Sequence, residues 1–340
     1  EGGQRKKRVG FIQYAPTTSY AGTRTNQMTT SGNVRGLSDI WFYGTSLASS
    51  SRLVAVCDRD IFSSTNGGVW NQITTGSSFG TSTRLACLTR AQEYVVISDG
   101  SAVPRAFNPV TSTLVAATSG SDFPVFEWSV GHLSRLFYGP LTSEPHKVYY
   151  TAASNIFDTT GADTGNFTVE QGNGDRVIGC SQPFYESLYI FKGPQYGSIH
   201  QLAGRDPVTF TLTRTATGAP AQSHWGIVTT PTDIYWISSA GVHSLQTTVK
   251  YGDVDQAYLS LPIQRLWRQQ QITLADLTNA GGFWNPIRTT VGWLIKPTGS
   301  TTRYWIIVYN YALSDPSPGG KKFWAIWQIG TGVSGSQPAI

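Results

Sequence analysis

Hydrophobic positions along this chain recur mainly at every second residue, in short runs broken by Gly, Asp, Asn, Ser and Pro. Runs of that kind, rich in Val, Ile, Thr, Tyr and Trp, read as β-strands. The pattern predicts strands over 52–58, 69–73, 84–88, 94–98, 126–130, 135–138, 147–151, 177–181, 187–191, 198–202, 209–214, 234–238, 242–245, 289–295, 303–309 and 323–329. One stretch differs. From Ser260 to Gln270, Pro262 stands in the first turn, and Ile263, Leu266 and Trp267 fall at i, i+3 and i+4 on one helix face. This spacing predicts two or three helical turns packed on the sheets.

A unit of strand, polar or Gly break and second strand recurs from Leu53, Tyr94, Leu133, Ser187, Asp233 and Tyr304. The first four intervals are close to the roughly 40–50 residues of one four-stranded propeller blade. Many strands are apolar on both faces, as in Leu188–Phe191 and Tyr304–Tyr309. Strands sandwiched between neighbouring blades need that composition, and radial stacking leaves only short, protected sheet edges. The expected fold is therefore all-β, a β-propeller of six or seven blades with one short helix. The alternative is two β-sandwich domains divided in the stretch Thr215–Gln222. The expected organisation is an extended N-terminal arm over 1–30, the propeller over 31–330 and a C-terminal tail over 331–340.

Composition narrows the class. In the 340 residues, hydrophobic positions make up 39% and charged ones only 13%, so a large core is available and disorder throughout is excluded. No apolar run of 18 residues exists, which excludes a transmembrane helix, and no apolar segment of signal-peptide type follows the basic start. The single Met is Met28 and the chain starts at Glu1, from which a natural start upstream is expected. Cys57, Cys87 and Cys180 are scattered and odd in number, so reduced core thiols are expected rather than a disulfide frame or zinc site. The net charge of +5 owes much to Arg5, Lys6, Lys7 and Arg8. That run is the candidate contact for a neighbouring subunit or for phosphates, and otherwise a solvated arm.

Chemical motifs are weak. Gly76 to Gly80 matches the G-x-S-x-G elbow around Ser78, but a loop and strand follow where a helix is required. The segment Ser64–Trp70 resembles the Asp-box of sialidase-type propellers, with Asn66 at the usual Asp position and one residue missing before the Trp. That box is a structural hairpin. Asp158 to Asp163 and Gly172 to Arg176 are acidic Gly-rich loops, read as turns with calcium as the alternative. His132, His146, His200, His224 and His243 never stand at metal-ligand spacing and are expected at turns or the surface. Asn166 opens a glycosylation sequon. No cofactor is implied. The many aromatic residues, beyond those needed between blades, suggest surface covered by other subunits.

Several segments, taken in order, resemble a family. The start Glu1–Phe11 is similar to the arm and K-R-P-G opening of β-propeller structural proteins of tailed-phage virions, with Val9 in place of Pro. Leu133–Leu202 carries that family's R-L-F strand, V-Y-Y-T, G-N-G-D-R-V-I-G and L-Y-I-F-K motifs. Thr232–Leu245 and Leu261–Trp267 resemble its later strand and helix. The resemblance implies a tail nozzle or head-to-tail connector whose subunits form a closed ring, six-fold by expectation, below portal and adaptor proteins. Genomic DNA would leave through that ring, tail fibres or a tip would attach to it, and an arm would precede Glu1. It implies no catalytic residues and a virion (tail) location. The competing expectations are a glycan-binding or glycan-cleaving, sialidase-like propeller and a monomeric host-type propeller scaffold.

Overall fold

The computed structural model describes residues 34–43, 49–57, 59–65, 69–73, 84–115, 123–218, 220–246, 259–264, 272–295, 303–315 and 320–330. The expected arm and tail, with Arg5, Lys6, Lys7, Arg8 and Ser78, lie outside them. The described strands form six antiparallel sheets, each a meander of consecutive strands. Blade 1 holds Val34–Tyr43 (β1), Ser49–Cys57 (β2), Asp60–Thr65 (β3) and Trp70–Gln72 (β4). Blade 2 holds Cys87–Ala91 (β5), Tyr94–Ser98 (β6), Arg105–Asn108 (β7) and Thr113–Val115 (β8). Blade 3 holds Trp128–His132 (β9), Arg135–Gly139 (β10), Lys147–Tyr150 (β11) and Gly165–Thr168 (β12). Blade 4 holds Arg176–Cys180 (β13), Leu188–Gly193 (β14), Ser198–Ala203 (β15) and Thr211–Thr217 (β16). Blade 5 shows three strands, Val228–Thr229 (β17), Ile234–Ser238 (β18) and Gly241–Ser244 (β19). Blade 6 holds Gly281–Asn285 (β20), Thr290–Ile295 (β21), Arg303–Asn310 (β22) and Phe323–Gly330 (β23).

This is a six-bladed β-propeller. The first strand of each blade is innermost, because the contacts between sheets run β1 to β5, β5 to β9, β9 to β13 and β17 to β20. Hydrogen bonds follow the same circle. Ala86 N donates to Arg35 O at 2.9 Å, Thr89 Oγ1 to Ser129 O at 2.6 Å, Cys180 N to His224 Nδ1 at 3.3 Å and Gly282 N to Trp225 O at 2.6 Å. Since all inner strands run the same way, the disc has an upper face where they begin and a lower face where they end. Gly131 and Gly179 permit the close approach. A Cβ on Gly131 would collide with the Arg90 carbonyl, and one on Gly179 would lie 2.8 Å from His224 Cα.

The core lies between blades. Val95 and Ile97 join Val54 and Val56 of blade 1, while Val96, one residue away, joins Leu136 and Tyr138 of blade 3. Trp236 packs toward Phe191 of blade 4, and its neighbours Tyr235 and Ile237 toward Trp293 and Tyr309 of blade 6. Side chains alternate across a pleated strand, so a strand covered on both sides must be apolar at consecutive positions. Each fully buried side chain of this size contributes roughly 1.5–3 kcal/mol.

Several expectations need correction. The stretch Thr215–Gln222 spans the end of β16 and the passage from blade 4 to blade 5, not a boundary between two sandwiches. The expected helix starts as a 3-10 turn over Leu261–Ile263, where Ile263 N bonds back to Ser260 O; residues 265–271 are outside the described set. A single α-helical turn, Leu274–Leu277, had no counterpart in the pattern reading. Strands β1, β3, β7, β8, β12, β17 and β20 also lie outside the predicted set; short polar ones such as Gly-Asn-Phe-Thr carry too few apolar positions to show a period.

Candidate functional site

A cavity of about 300 Å³ lies among the inner strands, lined from β1, β5, the end of β13, the segment before β17 and β20. Its lining includes Arg35, Leu37, Cys87, Thr89, Cys180, Gln182, His224 and Trp225, with Gly281 and Gly282 on the blade 6 side. The reactive groups come from three blades. His224 precedes β17, and its Nδ1 accepts from Cys180 N, so the neutral ring carries its proton on Nε2. That nitrogen stands 3.7 Å from Cys87 Sγ. The imidazole is also stacked on Trp128, with 5.3 Å between ring centroids. Cys87 Sγ has a second polar neighbour, the Ser129 carbonyl at 3.6 Å.

Electrostatics decide what this thiol–imidazole pair can do. Burial pulls His224 down to about 3. Burial pushes Cys87 up, against weaker opposition from Thr89 and Ser129. Both partners are therefore neutral at pH 7, whereas a cysteine nucleophile needs a thiolate. Cys57 and Cys180 are likewise buried and outside any disulfide, as expected from sequence.

Two carboxylates, Asp99 and Glu127, are taken up by arginines. Asp99 is fully buried and pairs with Arg35 across blades 1 and 2. Burial works against its charge, but Arg35 and the Ser101 N–H and O–H outweigh that and hold it below the usual range. Glu127 Oε1 bridges Arg84 at 3.2 Å and Arg176 at 2.7 Å. Among the described residues, the lining of this cavity presents thiols, an imidazole and a paired guanidinium.

The acidic loops have structural uses. Asp158 Oδ1 accepts from Thr160 N and Gly161 N, and Asp163 holds Arg135 at 2.7 Å. In the Gly172–Arg176 loop, the cation present is an ammonium. Lys192 is 0% exposed, and its Nζ donates to Val169 O at 2.9 Å, Glu170 O at 2.6 Å and Asn173 Oδ1 at 2.7 Å. Asp175 accepts from Gln195 N, Tyr196 N and Gly197 N at 2.7–3.0 Å and pins the turn after β14. Among the described residues, no group of three or more His, Cys, Asp or Glu is placed to hold a metal.

The histidines correct the sequence reading. His200 and His243 are buried in β15 and β19, bonded to Ser198 at 2.9 Å and Ser238 at 2.7 Å. The hairpin expected from the Asp-box-like segment is present, with Ser64 opposite a buried Trp70; residues 66–68 lie outside the described set. Cys87 and His224 are 137 residues apart, and no sequence signal pointed to their meeting.

Comparison with known proteins adds no function. No protein-family profile and no curated protein matches the chain. Among solved structures, the Mitotic Checkpoint Complex gives a TM-score of 0.46 at 10% identity, covering 96% of this chain and 89% of that one. The C-terminal WD40 domain of Sif2 gives 0.45 at 8% identity, covering 84% and 69%. A gluconolactonase from Xanthomonas campestris gives 0.41 at 12% identity, covering 72% and 79%. No helix among the described residues is long and apolar enough to cross a membrane.

Proposed function

We propose that this chain is a non-enzymatic structural propeller. On this reading it is a nozzle or connector subunit in the tail of a tailed-phage virion, assembled as a homo-oligomeric ring of six. The ring would sit among portal, adaptor and other tail proteins, and genomic DNA would pass through it.

The observation that carries the reading is the use made of the motif G-N-G-D-R-V-I-G with L-Y-I-F-K-G-P. Its polar residues, Asn173, Asp175 and Lys192, clasp the passage from blade 3 to blade 4 to the second strand of blade 4 through their own hydrogen bonds, away from the cavity described above. The motif thus has an architectural meaning, as a virion component requires. The charge balance agrees with it. Among the described residues 16 Lys and Arg face 15 Asp and Glu, so the propeller body is nearly neutral. A neutral wall holds passing DNA weakly, because each phosphate neutralised by a fixed cation adds affinity through counterion release.

The test is the chain's position in purified particles. Particle imaging and quantitative protein analysis should find it in the tail at six copies per virion. A monomer in solution that binds or hydrolyses glycans, and is missing from particles, refutes the proposal.

A further inference from the structure

Lys192 stands on β14, fully buried, and the amide it touches belongs to the passage that enters blade 4. The loop Gly172–Arg176 presents that amide. Gly172 and Gly174 have φ of 98° and 80° and open space where a Cβ would stand, so the chain bends sharply on both sides of Asn173. Asn173 Oδ1 accepts from Lys192 Nζ at 2.7 Å and from Asp175 N at 3.1 Å. Asn173 Nδ2 donates to Glu170 Oε2 at 3.1 Å. One carboxamide thus has an amine at its oxygen end and a carboxylate at its nitrogen end.

These groups are the parts of an amide exchange. An amine held against a carboxamide displaces ammonia when the amine loses a proton, the oxygen is stabilised as it gains charge and the departing nitrogen gains a proton. Each condition has a residue. Burial pulls the Lys192 ammonium down in pKa, against weaker opposition from Glu170 and Asp175. The oxygen that takes the charge already faces the Asp175 N–H. Burial works against the charge of Glu170, but bonds from Ser198 at 2.8 Å and Arg214 at 2.7 Å outweigh it and keep a carboxylate there. A carboxylate beside Nδ2 takes a proton released by the amine and hands it to the leaving nitrogen. Water is kept from the amine, because Val169 and Val177, the partner of Lys192 across β13 and β14, are fully buried.

We propose that Lys192 and Asn173 form an intramolecular isopeptide bond, with Glu170 as the proton shuttle. The neutral amine attacks Asn173 Cγ; the Nζ–Cγ bond forms and the Cγ–Nδ2 bond breaks. Nζ keeps one proton as the new amide N–H, and its other protons leave with Nδ2 as an ammonium ion. Neither an oxidant nor a further reactant is needed. The clasp described above is the arrangement before reaction. The product is a covalent staple across the open end of the β13–β14 hairpin, which holds the entry to blade 4 on its second strand under loads that would shear hydrogen bonds. The inference goes beyond the ring reading and does not depend on it.

Mass spectrometry of the full chain, denatured after incubation of the folded protein in mildly alkaline buffer, tests it. The parent should be lighter than its sequence by one ammonia. Trypsin should not cut after Lys192 and should leave the segments around Asn173 and Lys192 joined in one branched peptide. Lys192→Arg keeps a cation without the reactive amine, and Asn173→Ala removes the amide; both should keep their sequence mass. Glu170→Gln leaves a side chain of the same shape beside the amide but cannot shuttle a proton, so the crosslink should form at least about 100-fold more slowly, while thermal melting shows that the variant is folded. A clasp of hydrogen bonds alone predicts no ammonia loss in any of these chains. A parent that keeps its sequence mass overturns the proposal. So does an ammonia loss that leaves the two peptides separate, as closure of Asn173 onto the Gly174 nitrogen would, and so does a Glu170→Gln chain that crosslinks at the parent's rate. Each of these results leaves the ring reading standing, and a monomeric parent leaves the staple standing.

Discussion

Replacing Lys192 by Met examines the clasp between blades 3 and 4. Methionine keeps an unbranched stem of similar length but removes the ammonium. Three acceptors then lose their donor: Val169 O, Glu170 O and Asn173 Oδ1, now held at 2.6–2.9 Å from Nζ. Val169 is fully buried, so water cannot readily replace the lost bond there. Each orphaned buried acceptor costs about 1–3 kcal/mol, and hydrogen bonds to a charged group are at the upper end. Glu170 and Asp175 also lose an attractive charge. Against this stands the relief of burying a cation, the largest influence on Lys192, which pulls its pKa down. The net loss should be about 2–4 kcal/mol, below the sum for three orphaned acceptors because the cost of burying the cation is removed with it. Urea unfolding at pH 7 should show a lower midpoint at unchanged slope. A double-mutant cycle with Asn173→Ala should give a coupling of about 0.5–3 kcal/mol. A loss below about 1 kcal/mol, or strict additivity, would refute the clasp and with it the architectural meaning of the motif.

Other outcomes follow from the same coordinates. Gly131→Ala should destabilise the fold by at least about 1–3 kcal/mol, because its methyl meets the Arg90 backbone carbonyl of the neighbouring blade; a neutral thermal melt contradicts the close packing of inner strands. His224 and His243 are each held near 3 by burial. The unfolded chain binds those protons first, so stability should fall as pH drops from about 6.5 toward 3, and His243→Gln should flatten that slope by about one proton. Asp233 moves the other way. Burial raises it to about 6 against bonds from Ser244, Gln246 and Ile234, so its contribution is present below about 4 and lost as pH rises through about 6. Asp233→Asn should abolish that component in melts taken across the window. Cys87 and Cys180 should alkylate far more slowly in the native protein than after denaturation, since burial raises both thiols; rapid native labelling of Cys87 would mean that the thiol–imidazole pair is ionised.

Sequence alone determined the all-β class and the double-sided character of the strands. A strand buried between blades must be apolar at consecutive positions, so Tyr94–Ser98 and Ile234–Ser238 announced themselves without any knowledge of their partners. Turn residues and repeat spacing placed the hairpins, and the motif around Asp175 and Lys192 was visible before its use was known. Polar strands such as Gly165–Thr168 stayed hidden because their partners, not their composition, hold them in the sheet. Tertiary structure decided the blade number, the burial of His200 and His243 and the meeting of Cys87 with His224. It also decided the meeting of the Lys192 amine, the Asn173 amide and the Glu170 carboxylate. Local pattern encodes which face of a strand is covered; it carries no information about which distant blade comes round the axis to cover it.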